Sequence, residues 1–232
     1  MNRRGIYYDT ETTGTRPGSD RIIEIAAFDP EGDRVFCTLV QPECPIPAGA
    51  TAVHGITDAM VQDAPTIAQA LAAFAEFCTP DAILIAHNND SFDKLFLAAE
   101  AKRAELQLPE WASIDTLKWA RKYRPDLPKH SLQFLREEYG IPSNQAHRAL
   151  DDCHILHRVF RIMIDDLSWE EVMQLLSEEG QEMRMPFGKY KGKRLSEVPK
   201  SYIQWLSSSG AFDKAENQAL QQAFKELAEA NA

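Results

Sequence analysis

Asp9-Thr10-Glu11 places two carboxylates two residues apart. On a β-strand both would project from one face, because side chains alternate. Adjacent carboxylates repel unless a cation sits between them. Hard divalent ions with oxygen ligands, Mg²⁺ or Mn²⁺, suit such a pair. A third acid, Asp93, follows Phe92 just beyond an apolar run and Ala86-His87-Asn88. An acid past the carboxyl end of a strand in an α/β sheet lies where ligands bind. His147 precedes Asp152, the fourth acid, at the start of a long amphipathic stretch. Imidazole titrates near neutrality and suits general-base work. Singly, each has an ordinary explanation: an acidic turn, a helix N-terminal acid favoured by the dipole, a loop histidine. Their combination and order turn them into a candidate site.

The elements that must carry these residues are legible. Gly5 to Asp9 reads as a short buried strand, Arg21 to Asp29 as a second, and Arg34 to Val40 as a third. The turn at Pro30-Glu31-Gly32-Asp33 makes them an antiparallel meander. Pro42, Pro45 and Pro47 mark a loop. Helical spacing of Ile67, Leu71, Phe74 and Phe77 predicts a helix. Ala82 to Ala86 is a continuous apolar strand, Phe92 to Ala104 a helix, and Ser113 to Asp115 a strand before a helix at 117–123. Further helices are expected over 131–139, 149–164 and 169–176. This order gives an α/β domain with a mixed sheet, ending near residue 176. Residues 177–183 are polar and read as a linker to a small module over 184–232.

The combined motifs resemble the DEDDh, or DnaQ-like, family of 3′→5′ exonucleases. The strand ending Asp-x-Glu-Thr-Thr-Gly stands as Asp9 to Gly14, and His-x4-Asp as His147 to Asp152. A Val-His-Gly-Ile-Thr segment stands as Val53 to Thr57. The second motif departs from the family pattern. His87-Asn88-Asn89-Asp90-Ser91-Phe92-Asp93 is one residue longer, so either Asn88 or Asn89 takes the family asparagine position. The resemblance spans residues 4–165. It implies an RNase H-like mixed five-stranded sheet flanked by helices. It also implies two Mg²⁺ or Mn²⁺ ions held by Asp9, Glu11, Asp93 and Asp152, with His147 as general base. Thr10, Thr12, His54, Gly55, Ile56, Asn88 and Phe92 would meet the substrate.

The net charge is −10, which alone argues against nonspecific coating of nucleic acid. Two dications would convert the acidic pocket into a phosphate-binding one. The charge is uneven: residues 184–200 hold six basic side chains and one acidic. Lys189, Lys191 and Lys193 alternate there with glycines and aromatics, as in the C-terminal module of exonuclease X-like proteins. Two readings stay open. Phe187, Tyr190, Tyr202 and Trp205 either stack on bases while the lysines neutralise phosphates, or they form the core of a unit too short to fold without them.

No run of eighteen apolar residues exists, so a membrane span is excluded. The start of the chain is too short in apolar residues for a signal-peptide core, and the protein is expected in the cytoplasm. Cys37, Cys44, Cys78 and Cys153 form no Cys-x-x-Cys pair and are expected as reduced thiols. The function expected is metal-dependent 3′→5′ hydrolysis of DNA from a free single-stranded 3′ end, in repair or proofreading. Alternatives are trimming of RNA, and a noncatalytic scaffold that binds nucleic acid or associates with a DNA polymerase.

Overall fold

The computed structural model of the chain describes residues 3–142, 148–177, 185–213 and 217–230. The chain divides into two compact units, Met1–Leu176 and Ser177–Ala232. The first contains strands β1 (Gly5–Thr12), β2 (Ile22–Asp29) and β3 (Arg34–Leu39). Helices α1 (Ala48–His54), α2 (Asp58–Val61) and α3 (Ile67–Cys78) follow. Then come β4 (Ile83–Ala86), α4 (Asp93–Arg103), β5 (Ala112–Asp115) and α5 (Thr116–Tyr123). The unit closes with α6 (Leu132–Glu138), α7 (Ala149–Ile164) and α8 (Trp169–Ser177). The second unit holds α9 (Lys200–Ser208) and α10 (Gln218–Ala230).

The sheet order is β3-β2-β1-β4-β5. The β1–β2 and β2–β3 pairs are antiparallel; β1–β4 and β4–β5 are parallel. This is the mixed five-stranded sheet expected. The central strand β1 is buried except at Asp9 and Glu11, which are half-buried. Alternation sorts its side chains. Ile6 and Tyr8 join Leu84 and Ala86 against Leu71 and Phe74 of α3 and Phe96 of α4. Tyr7 joins Ile83, Ile85 and Ile114 against Cys153, Leu156 and Phe160 of α7. The even positions of β1 therefore face α3 and α4, and the odd positions face α7.

The structure adds α1 and α2, which the sequence reading left as loop and motif. Helix α1 buries only its last residue, His54, so no apolar stripe announces it. Pro47 precedes its first turn, and Gly55 ends it at φ 73°. Strand β1 also runs three residues beyond Asp9, carrying the whole Asp9–Glu11 pair inside the sheet. All four cysteines are free. No described helix is long and apolar enough to cross a membrane.

Candidate active site

The face rule for β1 decides what each motif residue meets. Asp9 and Glu11 occupy odd positions and point toward α7, where Asp152 lies one turn inside the helix. Carboxylate oxygens of Asp9, Glu11 and Asp152 lie within 4.8 Å of one another. Thr10 occupies an even position and points toward α4. Its hydroxyl donates to Asp93 Oδ1 at 2.7 Å, and its backbone N–H donates to the same oxygen at 3.1 Å. Asp93 is the first residue of α4 and is buried. Asp93, tied to the strand through Thr10, acts on this group as well: among the charges around Asp9 its carboxylate has the largest effect.

The electrostatics are those of crowded, buried negative charge. Burial, then Asp93, Glu11, Asp152 and Glu24, push the Asp9 carboxyl well above the usual range. Burial, then the neighbouring acids Asp152, Glu24 and Asp93, raise Glu11 to about 8, and Arg148 offsets part of this. Burial raises Asp93 to about 7 against the lowering effect of the Thr10 hydrogen bonds. No salt bridge reaches Asp9 or Glu11 among the described residues. Three converging carboxylates are the donor set of a hard divalent cation.

Two positioning residues escaped the sequence reading. Glu24 lies opposite Glu11 on β2 and is 1% exposed. Its Oε1 accepts from Arg148 at 2.8 Å, and its Oε2 accepts from the Ala149 backbone N–H at 3.1 Å. A β2 carboxylate thereby caps α7 and fixes the turn that carries Asp152. Its signal was one acid inside the apolar run Ile22-Ile23-Glu24-Ile25. Gln133 of α6 donates through Nε2 to Asp152 Oδ1 at 3.0 Å, and Arg136 donates to Gln133 Oε1 at 2.9 Å. Nothing in local spacing marks Gln133.

The extra residue before Asp93 is absorbed by a 3₁₀ turn over Asn89–Ser91. The Asp115 carboxylate accepts from the backbone N–H groups of Asn88 and Asp90, both at 3.1 Å. Asn89 is fully buried, and its Oδ1 accepts from the Tyr8 hydroxyl. Asn88 is half-buried at φ 71°. Asp90 pairs with Lys118, away from the carboxylate cluster. His87 Nε2 donates to the His130 carbonyl at 2.8 Å, leaving Nδ1 to accept from Thr116 at 2.9 Å. Burial lowers its pKa, consistent with that neutral tautomer.

The sequence reading set Thr10, Thr12 and Ile56 against substrate. In the structure their side chains make contacts within the fold. Thr10 holds Asp93, Thr12 donates to the Gly14 carbonyl, and Ile56 is buried with Ile23, Ile46 and Val61. His54 is also buried, and its Nδ1 accepts from the Ile56 N–H at 3.0 Å. Gly14 lies close under Asp20: a Cβ there would stand 2.4 Å from Asp20 Oδ2, so the carboxylate would have to shift. Phe92 is half-buried against Phe96. His147 lies outside the described residues, as does the linker beyond Ser177.

A family model described as exonuclease matches residues 6–160, which span β1 through most of α7. The chain belongs to the DnaQ-like 3′→5′ exonuclease family. Among curated members, it is 36% identical over 162 residues to the DNA polymerase III subunit epsilon of Treponema pallidum, covering 68% of this chain and 74% of that one. It is 37% identical over 171 residues to a putative bifunctional exonuclease/endonuclease protein of Mycobacterium tuberculosis, covering 69% of this chain and 26% of that one. It is 35% identical over 165 residues to the PolC-type DNA polymerase III of Caldanaerobacter subterraneus, covering 70% of this chain and only 12% of that one. The chain thus spans a small part of two of these three relatives.

Solved structures share the fold. Exonuclease I of E. coli in complex with a dA16 oligonucleotide superposes with a TM-score of 0.63 at 21% identity, over 75% of this chain and 43% of that one. Exonuclease X in complex with 5′ overhanging duplex DNA superposes with a TM-score of 0.58 at 28% identity, over 74% of this chain and 99% of that one. A second family model, described as a putative quorum-sensing-regulated virulence factor, matches residues 173–228.

Proposed function

We propose that this DnaQ-like exonuclease is a divalent-metal-dependent 3′→5′ exodeoxyribonuclease that releases 5′-mononucleotides from single-stranded 3′ ends of DNA, in repair or proofreading. The observation that carries this reading is the convergence of Asp9, Glu11 and Asp152 within 4.8 Å, with Asp93 tied in through Thr10. Exonuclease I and Exonuclease X, both solved with DNA, support DNA as substrate. The epsilon-subunit relative supports a proofreading setting, including association with a polymerase.

In this reading Asp9, Glu11, Asp93 and Asp152 would hold two divalent ions, with Asp9, Glu11 and Asp152 converging most closely and Asp93 the charge that acts most strongly on Asp9. Bound Mg²⁺ or Mn²⁺ supplies positive charge to the attacking and leaving oxygens of phosphodiester hydrolysis. The protein contributes by fixing the carboxylates beforehand. Glu24 locks the first turn of α7, Gln133 orients the Asp152 carboxyl, and Thr10 keeps one Asp93 oxygen engaged. Such preorganisation means that little rearrangement is needed when charge develops. His147 takes the proton of the attacking water as general base.

The test is a time course on 5′-labelled single-stranded DNA with Mg²⁺, beside a matched RNA, with EDTA and Asp9→Asn controls. A descending DNA ladder that both controls abolish is the expected result. Degradation of RNA alone would move the activity to RNA trimming. Binding without degradation of either strand would favour a scaffold.

A further inference from the structure

The C-terminal unit resolves the two readings of its aromatics. Its core consists of Met185, Leu195, Val198, Leu206, Phe212, Leu220 and Phe224, with Tyr190 and Tyr202 partly buried against it. Trp205 is not in that core and is 56% exposed. It stacks on Tyr202 with ring centroids 5.3 Å apart and planes 24° apart, and Tyr190 meets Tyr202 edge-on at 4.8 Å. Exposing an indole forfeits apolar burial, and here a small unit leaves its largest side chain outside its own core.

The basic loop is fastened to the same stack. The Tyr202 hydroxyl accepts from the Lys189 N–H at 3.3 Å. Gly188, at φ 72°, lets the backbone close on that hydroxyl, since a Cβ there would lie 2.3 Å from it. Lys189 Nζ lies 5.6 Å from the Tyr190 ring centroid, and Lys189, Lys191, Lys193 and Lys200 are all exposed. Residues 185–210 contain five basic side chains and one acid, Glu197. The Glu197 carboxylate accepts from the Arg194 N–H at 3.0 Å. No salt bridge neutralises these four lysines among the described residues.

We infer that Trp205 and the loop at 188–193 form a platform for single-stranded nucleic acid. An unpaired base stacks on the open face of Trp205, and the lysines take the adjoining phosphates. Duplexes keep their bases stacked internally, so the surface selects unpaired strands. The inference deepens the nuclease reading by naming a contact outside the carboxylate cluster, and it stands or falls by binding alone.

The test uses the full chain carrying Asp9→Asn, in EDTA, so that binding is read without cleavage. The probes are oligo-dT, oligo-rU and an abasic strand, each about 15 nucleotides long, and a blunt duplex, with affinity measured by fluorescence anisotropy. The expected result is that Trp205→Ala weakens binding of oligo-dT or oligo-rU about tenfold, while abasic binding is unchanged. Trp205→Phe retains most of the affinity, and Lys191→Gln with Lys193→Gln flattens the salt dependence for every strand. The dT and rU arms report which strand the platform favours, and either one exceeding the abasic strand supports it. Unchanged oligo-dT and oligo-rU affinities in Trp205→Ala, with thermal unfolding like the parent, would overturn the inference. So would abasic or duplex DNA binding as tightly as both unpaired strands.

Discussion

Thr10 and Asp93, 83 residues apart in the chain, share a hydrogen bond of 2.7 Å that ties the centre of the sheet to the first residue of α4. The hydroxyl favours the ionised form of a carboxyl that burial holds at about 7. Thr10→Val keeps the shape and the backbone N–H but removes the hydroxyl. Asp93 then titrates higher, the acidic limb of the pH–rate profile moves up, and kcat near neutral pH falls about tenfold, the scale of a hydrogen bond to a charged group. Thr10→Ser restores the profile. An unshifted limb in Thr10→Val would remove the hydroxyl from the positioning of Asp93.

Glu24 is a buried acid with a structural task, so its loss is expected in stability first. Glu24→Ala leaves Arg148 without its partner and the Ala149 N–H uncapped. The expected cost is about 2–3 kcal/mol by urea unfolding, below the range for fully buried pairs because Arg148 is partly exposed. Nuclease activity falls as well, since the turn bearing Asp152 loosens. A variant as stable as the parent would contradict the capping role.

The carboxylate cluster links pH, cation and stability. Without a cation, Glu11 stands at about 8 and Asp93 at about 7, both above their unfolded values. The fold favours their protonated forms. Their contribution to stability is complete below the unfolded values and is lost as pH rises through 7 and 8. In EDTA, Tm therefore falls between about pH 6 and pH 9, and Mg²⁺ raises Tm more at the higher pH, where protons no longer compete for the oxygens. Scanning calorimetry with and without Mg²⁺ checks both slopes; a Tm indifferent to Mg²⁺ at the higher pH would contradict cation binding at this cluster.

His147→Ala is expected to lower kcat by about 10²–10⁴ with an unaltered unfolding midpoint, the usual range for loss of a general base. Asp9→Asn is expected to abolish cation-dependent cleavage. Single-turnover assays with a 5′-labelled strand read both. Wild-type turnover in His147→Ala would take the histidine out of the reaction.

Several features of this protein follow from sequence alone. Asp9 and Glu11 share a face because strand side chains alternate, and the α7 stripe at 149–164 is visible because helical periodicity is local. The apolar runs at Ile22–Phe28 and Ile83–Ala86 announce strands of the sheet for the same reason. The short helix at 48–54 stayed hidden because it buries one residue and shows no stripe. The tertiary structure alone decided the rest. Whether Asn88 or Asn89 turns inward depends on Tyr8, 81 residues before Asn89. Glu24 caps a helix 125 residues further along, and Thr10 faces Asp93 instead of solvent because β1 lies between β2 and β4. Trp205 could be assigned to surface or core only once seven other side chains had filled the core. Periodicity tells which way a side chain points along its own element; strand order and close packing determine what it meets there.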